Sequence, residues 1–360
     1  MSVFVVNCGS SSLKWSVVDA DSGSTLGSGT VQKVEDHTEA LSQVLEVAPL
    51  DAVEAVAHRV VHGGERFSAP VLIDDAVVAA IRDLAVLAPL HNPANADGIE
   101  VARRALPAVP HVAVFDTAFH ATLPPRAYTY AVPRAWGVRR YGFHGTSHAY
   151  VSRAAARVLG RSDVDVIVLH LGNGASVTAV ANGRSIDTSM GLTPLEGLVM
   201  GTRSGDVDPA LVLHLRRTRN LSTDEIDVGL NSRSGLLALA GDNDMREVHR
   251  RAGTGDQAAE LALDVYCYRI RKYVGAYLAA LGGADAIVFT AGVGENDAVV
   301  RERSLAGLQR LGIEVDPARN AAGATVISPV GAEVAVLVIA TDEELEMATQ
   351  TAELVRGRIG

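Results

Sequence analysis

The chain opens on an unbroken apolar run, Val3-Phe4-Val5-Val6, too short for a helix and without polar alternation, which predicts a strand buried on both faces. Asn7-Cys8-Gly9-Ser10-Ser11-Ser12 is turn chemistry, and Leu13 to Val18 resumes as a second strand. The same grammar returns later. Val166 to Leu169 is followed by the Gly-rich stretch His170 to Ser176, then Val177 to Ala181, then an Asn182-Gly183 hairpin signal. Superposing Gly9 on Gly172 sets Asn7 on His170, a separation of 163 residues, with both second strands starting in register. A duplicated hairpin unit at the start of each half is the expectation.

Helical and strand patterns alternate around these hairpins. Asp74 to Leu87 reads as an amphipathic helix stopped by Pro89, and Ile99 to Leu106 as a shorter one. His111 to Phe115 is a buried strand, and Ser147 to Leu159 a helix opened by Thr146 or Ser147. Ser222 to Glu225 spells a capping box before another helix. Gly255 to Leu281 carries a long helical pattern that Gly282-Gly283 ends. Ala286 to Phe289 is a strand leading into the Gly-rich turn Thr290 to Asn296, with a helix after Asp297. Val334 to Ile339 is a last strand and Glu343 to Arg356 a last helix. Strands alternating with helices, plus hairpins, predict a mixed α/β protein of two similar halves.

Composition narrows the function. At 360 residues, 48% hydrophobic and 21% charged, the chain can bury a sizeable core across two or three domains. A formal charge of −10 disfavours nucleic acid or an anionic membrane surface as partner. Cys8 and Cys267 lie 259 positions apart and form no CxxC pair, so neither a disulfide framework nor a zinc ribbon is expected. Met1 to Asn7 has no basic segment of a secretory signal, and no apolar run approaches the ~20 residues that span a bilayer, so a cytoplasmic location is the expectation. Lysine occurs three times (Lys14, Lys33, Lys272) against 29 arginines. Lys14 stands out as a compact ammonium beside the first Gly-Ser turn.

Three Gly-rich turns follow three apolar strands, over Asn7 to Lys14, His170 to Ser176 and Gly292 to Asn296. Such turns suit phosphate, because glycine lets backbone N–H groups approach an anion. Singly each is weak. Together, in a duplicated α/β frame, they resemble the phosphate-1, phosphate-2 and adenosine loops of the actin/hexokinase/Hsp70-like ATPases. A second set is rich in His and Arg: His58 to Gly64, Leu90 to Pro93, Phe115 to His120, Gly142 to His148 and Met200 to Gly205. Each lies at an element end beside Gly or Pro, where active sites concentrate. Arg59 and Arg203 suit bidentate binding of a carboxylate or phosphoryl group.

Here the resemblance becomes specific. Asn7 to Lys14 (Asn-Cys-Gly-Ser-Ser-Ser-Leu-Lys) and His58 to Gly64 (His-Arg-Val-Val-His-Gly-Gly) resemble the two signature motifs of the acetate kinase family. Ala88 to Pro93, Phe115 to His120, Tyr141 to His148, His170 to Gly174, Thr193 to Gly197, Gly201 to Arg203 and Gly292 to Asn296 follow in the family's order. The likeness runs over essentially the whole chain. It departs in a shorter stretch before His58, in Asp244-Met245-Arg246 where the family has Asp-Phe-Arg, and in Thr341-Asp342-Glu343-Glu344 for Thr-Asn-Glu-Glu.

The resemblance implies a two-domain actin-like ATPase (ribonuclease H-like) fold with a duplicated core and the nucleotide in the interdomain cleft. The implied domains are 1–119 plus 345–360, and 120–344. The implied activity is Mg²⁺-dependent, reversible phosphoryl transfer from ATP to acetate, giving acetyl phosphate and ADP, with Mn²⁺ as a substitute metal, propionate as the alternative acceptor and a homodimer as the assembly. By the same resemblance, Asn7 and Glu343 position the metal through water, and Ser10, Ser12 and Lys14 lie near the transferring phosphoryl. Arg59 holds the acetate carboxylate. Arg203 and His144 stabilise the transferring group, and His91 lines the site. Asp116, an acid/base in the family's description, is expected to orient Arg203, Arg59 or a metal-bound water. Val61, Leu90, Phe143 and Pro194 form the pocket for the methyl group. His170, Leu171, Gly172, Asn173 and Gly174 contact the nucleotide, as do Asp244, Met245 and Arg246 and then Gly292, Val293, Gly294, Glu295 and Asn296. A non-catalytic nucleotide-binding regulator on the same fold is the remaining alternative.

Overall fold

In the computed structural model the opening apolar run is strand β1 (Ser2–Cys8), followed by β2 (Ser12–Asp19) and β3 (Thr25–Gln32) as an antiparallel meander. The structure describes all residues except Ser10, Ser11, Lys33, Glu35, Asp36, Leu90 and Gly360, and all side chains but those and His37, Arg358 and Ile359. β4 (Ala55–Val60) and β6 (His111–Phe115) extend the sheet parallel to β1, and the two-residue β5 (Val71–Leu72) closes its edge, giving the order β3-β2-β1-β4-β6-β5. A second sheet contains β7 (Asp165–Leu171), β8 (Ala175–Ala181), β9 (Arg184–Thr188), β10 (Ala286–Thr290) and β11 (Ala335–Val338), in the order β11-β10-β7-β8-β9. Counted outward from its hairpin, each sheet is a three-strand meander followed by two parallel strands. The duplication read from the sequence is therefore one of whole sheets, and the chain has the duplicated α/β fold of the actin-like ATPases.

One detail of that reading needs correction. Asn7 pairs with Lys14 and His170 with Ser176, so His170 lies 163 positions beyond Asn7 but Ser176 only 162 beyond Lys14. The first turn is one residue longer, and the second strands do not share the register expected of them. In the longer turn Gly9 N–H donates to the carbonyl of Ser12, and in the shorter Gly172 N–H donates to that of Gly174.

The chain divides into two compact units. The first is 1–121, 143–150 and 342–360. Its sheet is buried on both faces, which explains why β1 reads as a continuous apolar run. Phe4 and Val6 pack with Leu41, Val44 and Val101 from helices His37–Val47 and Asn92–Ala105. Val3 and Val5 pack on the opposite face against Met347, Ala348 and Val355 of helix Glu343–Ile359. The second unit is 122–142 and 151–341, with helix Gln257–Leu281 lying on β7 and β8.

Most boundaries shift by one to three residues, the helix expected from Ser147, with Thr146 or Ser147 as its cap, beginning at Gly145, and larger differences fall at other elements. The helix expected to begin at Ile99 begins at Asn92, because Pro93 falls in the first turn, where its missing N–H costs nothing. The helix expected over 74–87 is α only over Asp75–Asp83, capped by the Asp74 side chain, and tightens to 3₁₀ over Leu84–Val86. The third Gly-rich turn is a short helix, Ala291–Asn296.

Candidate active site

In the first unit the C-terminal ends of the parallel strands deliver most of the residues singled out. Arg59 near the end of β4 donates through Nε and Nη2 to both oxygens of Asp116, just past β6, with Nη2 at 2.7 Å from Oδ2. Asp116 is 2% exposed. Burial pushes its carboxyl upward from the ordinary range, Arg59 draws it back, and Glu343 adds to the rise. Burial works against the Arg59 charge, but Asp116, Glu343 and Glu344 outweigh it and hold the guanidinium charged. Glu343 opens helix Glu343–Ile359 and accepts from the Thr146 hydroxyl. Asn7 faces Lys14 across the β1–β2 hairpin, with Ser12 at its turn. Ser10 and Leu90 lie outside the described residues.

His144 has φ +56°, a left-handed conformation costly for a non-glycine residue. It immediately precedes helix Gly145–Leu159, and its carbonyl accepts from the His148 N–H. Gly145 N–H donates to the Asp116 carbonyl, and a methyl group at Gly145 would collide with that oxygen, so only glycine lets the two loops meet. Phe143 is buried, edge-on to His62. His91 is the N-cap residue of helix Asn92–Ala105.

Sequence reasoning missed the groups that fix these strand ends. Asn95 accepts from Val61 N–H and donates to the Cys8 carbonyl, and Asn92 accepts from His62 N–H and donates back to its carbonyl. Both are fully or nearly fully buried. Their signal was an i,i+3 pair of asparagines on an otherwise apolar helix face.

The second unit holds Arg203, the expected nucleotide contacts and Pro194. Arg203 is half-buried, donates to the Pro194 carbonyl at 3.3 Å, and has no carboxylate partner among the described residues. Burial lowers its pKa. Its loop is held by a network also missed in the sequence. Arg140 donates through Nη1 to the carbonyls of Thr188, Ser189 and Met190 and through Nη2 to Glu196, whose other oxygen accepts from the Tyr130 hydroxyl. The Leu192 N–H completes it by donating to that same hydroxyl.

A cavity of about 780 Å³ in this unit is lined by Gly172 and Asn173, by Asp244, Met245 and Arg246, and by Gly292, Val293 and Asn296. These come from all three nucleotide stretches. Gly201, His249, Tyr266 and Asp297 line it too, and were not anticipated. His170, Leu171, Gly174, Gly294 and Glu295 do not. Glu295 instead turns its carboxylate onto the N–H groups of Ala291 and Thr341. Arg301, 2% exposed, donates to the Gly294 and Glu295 carbonyls at the end of that short helix. Gly201 N–H donates to the Asn173 carbonyl, and a side chain at Gly201 would strike the Asn173 amide.

Among the described residues, no three His, Cys, Asp or Glu side chains converge as a metal cluster, although His144 and His148 are four positions apart. Asn7 and Glu343 offer oxygen donors, as a hard cation requires. A Mg²⁺ ion bound mainly by water and substrate phosphates needs few more from protein.

The profile of the Acetokinase family matches residues 28–349. An acetate kinase of Streptomyces coelicolor is 53% identical, the match covering 98% of this chain and 97% of that protein. The crystal structure of Porphyromonas gingivalis acetate kinase superposes with a TM-score of 0.93 at 41% identity, over 98% of this chain and 99% of that one. A propionate kinase from Francisella tularensis superposes with a TM-score of 0.92, also at 41% identity over 98% and 99% of the two chains. The chain belongs to the acetokinase family.

Proposed function

We propose that the chain catalyses reversible phosphoryl transfer between ATP and acetate, giving ADP and acetyl phosphate by direct in-line displacement. The observation that carries this reading is the unequal treatment of two half-buried arginines. Arg59 is neutralised by Asp116, whereas Arg203 is held by a carbonyl with no counter-charge of its own. A guanidinium desolvated without a carboxylate partner is suited to an anion that arrives with the substrates.

The chemistry explains the residue types. A short-chain carboxylic acid with a pKa of about 4–5 is ionised at neutral pH, so its attacking oxygen needs no general base. An acetate oxygen forms the new O–P bond as the bond from the γ-phosphorus to the β,γ-bridging oxygen breaks, and ADP leaves with the electron pair. No proton is transferred. Catalysis then rests on holding two mutually repelling anions in line and spreading the charge. In this reading Arg59 holds the carboxylate, Asp116 orients Arg59, and Arg203 and His144 stabilise the phosphoryl oxygens. Lys14, Ser10 and Ser12 attend the phosphate chain, with His91 beside them. Val61, Leu90, Phe143 and Pro194 shelter the methyl group. When bound, Mg²⁺ would neutralise phosphate charge, with Asn7 and Glu343 as its protein-side oxygens.

Propionate is a second acceptor with a specific reason behind it, since the propionate kinase is as similar to this chain as the Porphyromonas gingivalis acetate kinase. One methylene in an apolar pocket is worth about 1–3 kcal/mol. The domain division 1–119 plus 345–360 against 120–344, a homodimer and a cytoplasmic location complete the proposal on the family resemblance. Among the described residues no helix is long and apolar enough to cross a membrane. The test is to trap acyl phosphate as hydroxamate with Mg²⁺, ATP and acetate, propionate or butyrate. Greatest kcat/KM with acetate is expected. A preference for propionate transfers the assignment, and nucleotide binding with no acyl phosphate makes the chain a regulator.

A further inference from the structure

The stretch from Gly197 to Asp206, which carries Arg203, is closed on itself at its ends. Gly197 N–H donates to Asp206 Oδ1 at 2.8 Å, and Asp206 N–H donates back to the Gly197 carbonyl at 3.0 Å. Gly205 has φ +64°, and a methyl group there would strike the carbonyls of Gly197 and Leu198, so glycine is what lets the two ends lie this close. The second oxygen of Asp206 accepts from the Tyr273 hydroxyl at 2.7 Å. Arg269 Nη1 lies 3.6 Å from that oxygen and donates to the carbonyls of Gly197 and Asp206. Arg269 and Tyr273 are one turn apart on the same face of helix Gln257–Leu281, which rests on β7 and β8. Asp206 is thus the point at which a closed loop is fastened to the core of its unit.

Arg203 depends on that closure twice. Its backbone lies inside the ring, where Met200 N–H donates to its carbonyl, and its guanidinium leans on the carbonyl of Pro194, just ahead of Gly197. Arg140, Glu196 and Tyr130 hold the segment before the ring. We infer that Asp206 is a positioning residue for Arg203, and that Tyr273 acts with it by orienting the carboxylate. The inference rests on the reading of Arg203 as the group that stabilises the transferring phosphoryl. A cation that acts in the transition state must already stand where the charge develops, since a shift of about 1 Å costs on the order of 10²-fold in rate. What Asp206 contributes passes through the loop, because both of its oxygens are engaged, one by a backbone N–H and the other by a hydroxyl.

The experiment is a double-mutant cycle on the intact protein, measuring acyl phosphate formed from Mg²⁺, ATP and acetate by Asp206→Ala, Asp206→Asn and Tyr273→Phe, each with and without Arg203→Ala. Asp206→Ala is expected to lower kcat by about 10- to 100-fold, with the KM of ATP and of acetate within about twofold of the wild type. Asp206→Asn keeps an oxygen for the Gly197 N–H and should recover most of that loss, and Tyr273→Phe should lower kcat by about 3- to 10-fold. In the Arg203→Ala background none of the three should lower kcat further, because the group they position is gone. Equal losses in the two backgrounds overturn the inference, since the clasp then serves the fold alone. An unchanged kcat in Asp206→Ala overturns it too, whether or not KM rises. If Asp206→Ala does not fold, Tyr273→Phe decides by the same comparison. An Arg203→Ala protein as active as the wild type, or a wild type that makes no acyl phosphate, overturns the reading of the site itself, and this inference with it.

Discussion

Arg59 and Arg203 face different electrostatic problems. Arg59 arrives at the site already paired, so its removal strands the buried Asp116 carboxylate and damages the fold as well as the chemistry. Arg203 has no such dependant. Arg203→Ala is therefore expected to leave the melting temperature nearly unchanged and to lower kcat by about 10²–10³-fold with little change in nucleotide KM, as for a group that acts in the transition state. If steady-state kinetics show an intact kcat and only a raised KM, Arg203 is a binding residue. Behind Arg59 lies a second test. His111 Nε2 lies 3.0 Å from the Leu106 carbonyl, which fixes its proton there, so His111 Nδ1 accepts from His58 Nε2. Burial, His111 and Arg103 hold His58 well below its ordinary pKa, and burial chiefly lowers His111. Both rings are neutral when folded and take up protons on unfolding below pH of about 6.5, so stability falls as pH falls through that range, by up to about 1.4 kcal/mol per pH unit for each ring. In urea titrations from pH 7.5 to 5.0, His58→Asn should show a shallower decline than the wild type. Arg59, Asp116 and Arg203 could be picked out of the sequence because each belongs to a stretch that resembles a motif of the family. Asn92, Asn95 and Arg140 could not, because what they do depends on which distant backbone atom folding brings to them.

At the scale of elements, the loop from Ser189 to Arg203 has no regular structure of its own and takes its shape from Arg140, Glu196 and Tyr130. Glu196 is the hinge of that arrangement, since it accepts from both others. Glu196→Ala should cost about 1–3 kcal/mol in chemical denaturation and lower kcat more than it raises either KM, because the loop carrying Arg203 loses its anchor. A variant that loses stability but keeps kcat would show that the network serves folding alone. Strands such as β1, β6, β7 and β10 were legible because their apolar runs are buried on both faces, whereas β3 and β9, which have exposed positions and no apolar run, were not read. Helix starts were less legible. The helix expected from Ile99 already begins at Asn92 with Pro93 in its first turn, and the glycines of 292–294 read as a loop although Glu295 and Arg301 pin them into a helical turn.

For the whole molecule, the two sheets repeat one strand order, and the amino-acid sequence shows that duplication in its two Gly-rich hairpins. The one-residue difference between the hairpins is hidden there, since only the ladder pairing reveals it. The two copies have diverged in use. The strand ends of the first are crowded with His, Arg and Asp, and the loops of the second enclose a cavity of about 780 Å³. Nucleotide binding should therefore register locally: in amide hydrogen exchange, ADP is expected to slow exchange around residues 172–173, 244–249 and 292–296, and uniform protection across the chain would contradict a site confined to this cavity.

The solitary guanidinium of Arg203 has a further consequence for the solution in which the protein is kept. A fold that buries a cation without its counter-ion is completed by whatever oxyanion the medium supplies, so the choice of buffer salt becomes a thermodynamic variable. Phosphate should raise the melting point above that in chloride at matched ionic strength, by a margin that grows with concentration and then saturates. The Arg203→Ala protein should lose most of that margin, which separates occupancy of this one position from the general salting effect that every protein feels.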